Sequence, residues 1–163
     1  MGGRTGMAYT PEELDATTRL LLAETSYHRP EREMVGIVQV AVNRAKKTGN
    51  LLSVVVPPGR PNWNNHPKYR KRWEDANTYP RWAKARAFVE KVLSGGFPNE
   101  IGDRTMFLHP HGMPRPTADN NQCKGNRNSK YIVDTTAGRR CLPKWSTGDR
   151  VLVIDGARFS YPS

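Results

Sequence analysis

Residues 31–47 read EREMVGIVQVAVNRAKK. Met34, Ile37, Val38, Ala41, Val42 and Ala45 fall at i, i+3, i+4, i+7, i+8 and i+11. That is the spacing of one apolar face on an α-helix. Lys46 and Lys47 stand in the last turn, and Gly49 suits the residue just past a helix end. The β-branched residues would also suit a strand, but spacing and length favour a helix over about 31–47.

Two further helices flank this one. Upstream, Thr10-Pro11-Glu12-Glu13 is a capping box with Pro at the first helical position. Leu14, Leu21 and Leu22 follow helical spacing, Thr17, Thr18 and Thr25 fill the stripe, and the helix is expected to end near Ser26. Downstream, Trp82, Ala85, Phe88, Val89, Val92 and Leu93 predict a helix over about 80–94, stopped by Gly95-Gly96. Between them, residues 51–79 read as a surface loop: a short apolar run meets Pro57-Pro58-Gly59, then Trp63, Tyr69, Trp73 and Tyr79 sit among Lys, Arg and Asn.

After Gly96 the periodicity shortens. Residues 105–108, 131–134, 151–154 and 158–161 are short β-like runs, and Asp155-Gly156 is a hairpin-turn signal. Residues 110–130 are rich in Pro, Gly and Asn and read as a long loop. The expected architecture is α+β: a flexible N-terminus over 1–9, then one domain over 10–163, with a helical half (10–96) and a β/loop half (97–163) built on a small antiparallel sheet.

The 163 residues suit one domain, and the net charge of +11 points to a polyanionic partner: nucleic acid, an anionic membrane surface or an anionic cell wall. No apolar run approaches the roughly 18 residues of a membrane span. Residues 1–7 carry no apolar stretch, so a secretory signal is not expected and delivery to a substrate outside the cytoplasm would need other machinery. P-loop, GxGxxG, GxSxG and HExxH fingerprints are absent, which leaves ATP-driven, dinucleotide-dependent and α/β-hydrolase chemistry without support.

Glu24 lies beside the apolar stripe of the first helix, where partial desolvation would raise a carboxyl pKa toward that of a general acid. A boundary Glu paired with an Arg is the plainer alternative. Trp63 and Trp145 stand in polar loops, where flat rings suit sugars or bases, or simply pack beneath the loop. Trp82 falls on the helical stripe. His109 and His111 with Cys123 and Cys141 could make a tetrahedral zinc site, though the spacing is irregular; one disulfide or two free thiols fit the cysteines equally. Lys68, Arg70, Lys71 and Arg72 are the densest basic run, read as a solvated face or a polyanion contact.

Taken in order, these segments resemble the spore-cortex-lytic (SleB-like) cell-wall hydrolases. Leu20-Leu21-Leu22-Ala23-Glu24 precedes a helix closing in Val42-Asn43-Arg44. Leu52-Ser53-Val54-Val55, Asn62-Trp63, residues 83–95, Met106-Phe107-Leu108-His109, Pro143-Lys144-Trp145 and Ile154–Phe159 follow in the family's order, over about 12–161. The closing His of the family is replaced by Ala157 or Arg158, one extra residue precedes the second helix, and the loop from Pro110 to Pro143 is longer than usual.

The resemblance implies a lysozyme-like domain that cleaves peptidoglycan between N-acetylmuramic acid and N-acetylglucosamine. Glu24 would be the catalytic residue, with Asn62, Trp63, His109 and Trp145 binding the glycan. It implies no cofactor and no metal, with a monomeric enzyme as the expectation. A single carboxylate suffices if the muramic acid's own 6-hydroxyl attacks the anomeric carbon; a two-carboxylate hydrolase would need a partner, for which Asp103 is the one candidate. The absent signal suits a phage-encoded or virion-carried lysin. The alternatives are a nucleic-acid-binding protein or metal-dependent nuclease, and an inert wall-binding or virion module on the same fold.

Overall fold

The computed structural model describes residues 3–56, 66–116, 122–123 and 129–162. It is α+β, and its contacts divide the chain into two compact units, residues 1–103 and 104–163. The division falls a few residues beyond the helical/β boundary expected at 96.

The first unit is helical: α1 (Pro11–Thr25), α2 (Glu31–Thr48), α3 (Leu51–Val55), α4 (Pro67–Glu74) and α5 (Trp82–Leu93). Helix α1 is central and packs against all four others. The capping box forms: the Glu13 amide donates to Thr10 Oγ1, and the Thr10 amide donates to the Glu13 carboxylate. Burial of α1 is wider than its leucine stripe, because Ala16, Thr17, Thr18, Ala23 and Thr25 are also buried. The threonines satisfy their hydroxyls internally, each donating to the carbonyl four residues back (Thr17 to Glu13, Thr18 to Leu14, Thr25 to Leu21). Threonine can therefore occupy a buried face without leaving a polar group unpaired.

Helix α2 follows its predicted span and ends on Gly49, at φ 82°. Residues 51–79, expected as a loop, instead hold α3 and α4 in their described parts. Asn50 caps α3 by accepting from the Leu52 amide. Helix α4 has Pro67 in its first turn and Trp73 as its buried anchor. Arg70–Glu74 and Lys71–Asp75 ion pairs brace it at i,i+4. One anchor makes no periodic stripe, which is why the sequence reads as loop. The basic run 68–72 is thus largely the outer surface of a short helix.

Residues 3–9, anticipated as flexible, are hydrogen-bonded to the rest of the unit. The amides of Thr5 and Met7 donate to the carbonyls of Phe97 and Leu93, and the Asn99 amide donates to the Gly3 carbonyl. Gly6 sits at φ 95°, with the position of a missing Cβ only 2.1 Å from the Leu93 carbonyl oxygen. Only glycine fits that crossing.

A buried amide relay joins this segment to α2. The Gly6 amide donates to Gln39 Oε1 (2.8 Å), Gln39 Nε2 donates to Asn43 Oδ1 (2.8 Å), and Asn43 Nδ2 donates to the Gly102 carbonyl (2.9 Å). The polarity is forced from both ends, since an N–H can only donate and a carbonyl only accept. Asn43, part of the Asn-Arg close of α2, therefore has a structural task.

The described residues of the second unit form two antiparallel sheets where one was expected. Strands β1 (Met106–Leu108), β4 (Leu152–Ile154) and β5 (Ala157–Ser160) form one, in the order β1-β5-β4. Strands β2 (Ile132–Thr135) and β3 (Gly138–Cys141) form the other. Asp155 and Gly156, at φ 50° and 92°, make the tight β4–β5 turn that their sequence predicts. Strand β3, Gly-Arg-Arg-Cys, was not anticipated; pairing with β2 creates it, since its residues carry little β propensity. Phe159 and Ile154 are buried on one face of the first sheet, with Phe107 against Phe159.

Cys123 and Cys141 are joined in a disulfide, and both are buried. The proposed zinc site on two thiolates with His109 and His111 is thereby corrected: each cysteine sulfur is bonded to the other, so neither is a thiolate ligand.

Candidate functional site

Glu24 stands one residue from the C-terminal end of α1, half-buried between the buried Ala23 and Thr25. The other carboxylates of α1 lie nearer its start. Glu12 is exposed, Glu13 belongs to the capping box, and Asp15 pairs with Arg19 at 2.8 Å. Arg19 in turn donates to the carbonyls of Trp73 and Glu74 and lies over the Trp82 ring, tying α1 to its neighbours. Trp82, read from the sequence as core, is partly buried against Leu22, Ala76 and Ala85.

The chain leaves α1 through a strained turn. Ser26 and Tyr27 both take left-handed backbone conformations, at φ 53° and 58°. Such conformations are uncommon without glycine and cost on the order of 1–3 kcal/mol each. Hydrogen bonds hold the turn: the Tyr27 amide donates to Thr25 Oγ1, the His28 amide donates to the Thr25 carbonyl, and Arg81 Nη1 donates to the Ser26 carbonyl and meets His28 Nε2. Tyr27 packs edge-on against Phe88.

Beside this turn is a cavity of about 290 Å³ lined by Leu22, Ser26, Tyr79, Pro80 and Arg81. Glu24 is not among the residues that line the cavity; along α1 it follows Leu22 by two positions, about 200° around the helix.

A second carboxylate is more deeply placed than Glu24. Glu33, in the first turn of α2, is 2% exposed, and both its oxygens accept from Arg29 at 2.9–3.1 Å. The paired geometry offsets the cost of burying the charge. The i−4 spacing of Arg29 and Glu33 is the one signal of this pair that the sequence carries. Asp103, the suggested partner carboxylate, is exposed at the end of the first unit.

His109 and Trp145 belong to the second unit. His109 follows β1; its Nδ1 accepts from the His111 amide, and its ring meets that of His111 edge-on at 4.7 Å. Gly156 comes close to His109 Nε2, so a Cβ there would lie 3.4 Å away. Trp145 is partly buried in a 3-10 turn, Lys144–Ser146. Arg158 of β5 donates through Nη1 to the Ser146 carbonyl at 3.0 Å, which ties Trp145's turn to the sheet. Burial holds the Arg158 guanidinium below the usual arginine range, though such a group stays cationic in proteins. Of the two positions that could replace the family's closing His, Ala157 is buried and Arg158 lies on the opposite face of β5. Asn62 and Trp63 lie outside the described residues.

Arginines also gather at Tyr161 in this unit: Arg150 lies 3.7 Å and Arg104 5.2 Å from its ring centre, and Arg104 Nε donates to the Arg150 carbonyl. Among the described residues, no group of three or more His, Cys, Asp or Glu is placed to hold a metal ion. No described helix is long and apolar enough to cross a membrane. No family model matches the chain, and neither a curated protein nor a solved structure shows significant similarity to it.

Proposed function

We propose that this chain cleaves the glycan strand of peptidoglycan as a lytic transglycosylase, with Glu24 as its acid and a lysozyme-like arrangement of the helical unit. The observation that carries the reading is the setting of Glu24. It is a half-buried carboxylate at the end of a central helix, next to a strained turn. A carboxyl group partly withdrawn from water yet open on one side suits a proton donor. The colinear resemblance to the SleB-like hydrolases supports the same residue, and the net charge of +11 suits an anionic wall.

In this mechanism Glu24 gives its proton to the glycosidic oxygen as the bond to the muramic anomeric carbon breaks. The carboxylate then takes the proton of the muramic 6-hydroxyl while that oxygen bonds the anomeric carbon. The products are a 1,6-anhydro-muramoyl end and a free 4-hydroxyl on the departing sugar, and Glu24 is again protonated. No second carboxylate is needed. Glu33 is held by Arg29, which makes it a structural ion pair in this scheme. An intramolecular hydroxyl also has the advantage over water, since effective molarities of well-oriented groups reach about 10⁵ M or more.

The test is mass spectrometry of fragments released from purified sacculi by the chain and by Glu24→Gln. Anhydro ends from the parent, and a loss of about 10²–10⁴-fold in the variant, are expected. A variant that keeps more than about a tenth of the activity would remove Glu24 from the mechanism. Fragments that all carry reducing muramic ends would replace the transglycosylase with a hydrolase.

A further inference from the structure

Glu24 does not line the cavity beside the end of α1, and the scheme above does not use that cavity. Its walls combine two kinds of surface. Leu22, itself 2% exposed, and the ring of Pro80 are apolar. Ser26, Tyr79 and Arg81 bring a hydroxyl, a phenol and a guanidinium. Arg81 uses Nη1 to hold the Ser26 carbonyl and to meet His28. That contact fixes the guanidinium at the rim. Its Nε and Nη2 make no hydrogen bond among the described residues, and neither do the hydroxyls of Ser26 and Tyr79. The rim is also built on the left-handed pair Ser26 and Tyr27. Strain of that kind persists where surrounding contacts over-determine it and is concentrated at ligand-binding and catalytic positions.

We infer that this cavity is a binding site for a small carboxylate with a compact apolar body, such as the end of a short peptide, its carboxylate on Arg81 and its apolar part against Leu22 and Pro80. At about 290 Å³ the space is at the small end of ligand sites, which limits the occupant to a fragment-sized group. A fixed guanidinium presents parallel N–H donors that match a carboxylate. The phenol of Tyr79 and the hydroxyl of Ser26 add a donor or acceptor for a peptide amide. Leu22 and Pro80 supply the dry floor that strengthens the charged contact. The inference does not depend on cleavage of the glycan strand, because none of its residues carries that reaction.

The experiment titrates the full chain with N-acetyl-alanyl-alanine in its D,D and L,L forms, followed by backbone amide NMR. Millimolar additions should shift the amides of Leu22, Ser26 and Arg81. Binding by either form supports the site, and the preferred form tells whether a wall peptide or a protein C-terminus is the source. The C-terminal amide of the same dipeptide, which lacks the charge, should bind about 10- to 100-fold more weakly. Arg81→Met should weaken the acid by a similar factor, and Tyr79→Phe, which removes only the hydroxyl, by about two- to tenfold. Glu24→Gln should leave binding unchanged. No shift with either form, equal binding of acid and amide, or full binding by Arg81→Met would each overturn the inference.

Discussion

Replacing Gln39 with Leu tests the amide relay that ties the N-terminal segment to α2. Gln39 is fully buried, and its side chain accepts from the Gly6 amide and donates to Asn43 Oδ1, both at 2.8 Å. Leucine fills nearly the same volume but leaves both partners unmatched. An unsatisfied buried polar group costs about 1–3 kcal/mol. Asn43 is 5% exposed and should sit near the top of that range, whereas Gly6 is half-buried and should sit near the bottom. Allowing for the apolar gain of leucine, the net loss should be about 2–4 kcal/mol. At about 4–6 °C per kcal/mol for a unit of this size, the melting point should fall by about 10–20 °C. Far-ultraviolet circular dichroism reports this unit selectively, because α1 to α5 all lie within residues 1–103.

The relay also predicts the sign of a coupling. In Asn43→Leu the Gly102 carbonyl keeps a donor, since Asn99 Nδ2 reaches it at 3.0 Å. The double variant removes the unmatched Asn43 oxygen that Gln39→Leu creates, so its cost should be smaller than the sum of the two single costs. A single-variant loss under about 1 kcal/mol, or strict additivity, would refute the relay as an energetic unit.

The disulfide closes a sequence separation of 18 residues, which corresponds to about 3 kcal/mol of loop entropy removed from the unfolded chain. Cys123→Ala with Cys141→Ala should destabilise the second unit by about that amount, seen as an earlier loss of near-ultraviolet signal; an unchanged transition would show that the bridge is dispensable. Gly6→Ala should destabilise the first unit by about 2 kcal/mol or more, because its Cβ would meet the Leu93 carbonyl at 2.1 Å and its φ is left-handed; a melt like the parent's would contradict that crossing. Glycan cleavage should survive dialysis against a chelator, since the single-carboxylate scheme uses no metal, and an activity lost and then restored by zinc would overturn that scheme.

The capping box, the periodic face of α2, the Gly49 stop and the Asp155-Gly156 turn were legible because each is local: its signal lies within a few residues of its effect. Glu24 could likewise be placed beside an apolar stripe from spacing alone. Helix α4 and strand β3 were not legible, because neither carries a periodic apolar face. One is made by a single anchor, Trp73, with i,i+4 ion pairs, and the other by its pairing with β2. The threonines of α1 looked like filler between leucines, and only the packing of four helices around α1 shows why they are buried and self-satisfied.

The sequence by itself determined the helix-then-strand order, the basic charge and the carboxylate at the end of the first helix. Only the tertiary structure decided that Asn43 and Gln39 hold the N-terminal segment and that Cys123 and Cys141 are partners. It also decided that Arg81 stands at the rim of a cavity bounded by Leu22 and Ser26. Those contacts join residues 18 to 59 positions apart in the chain, and no local propensity encodes a distance of that kind.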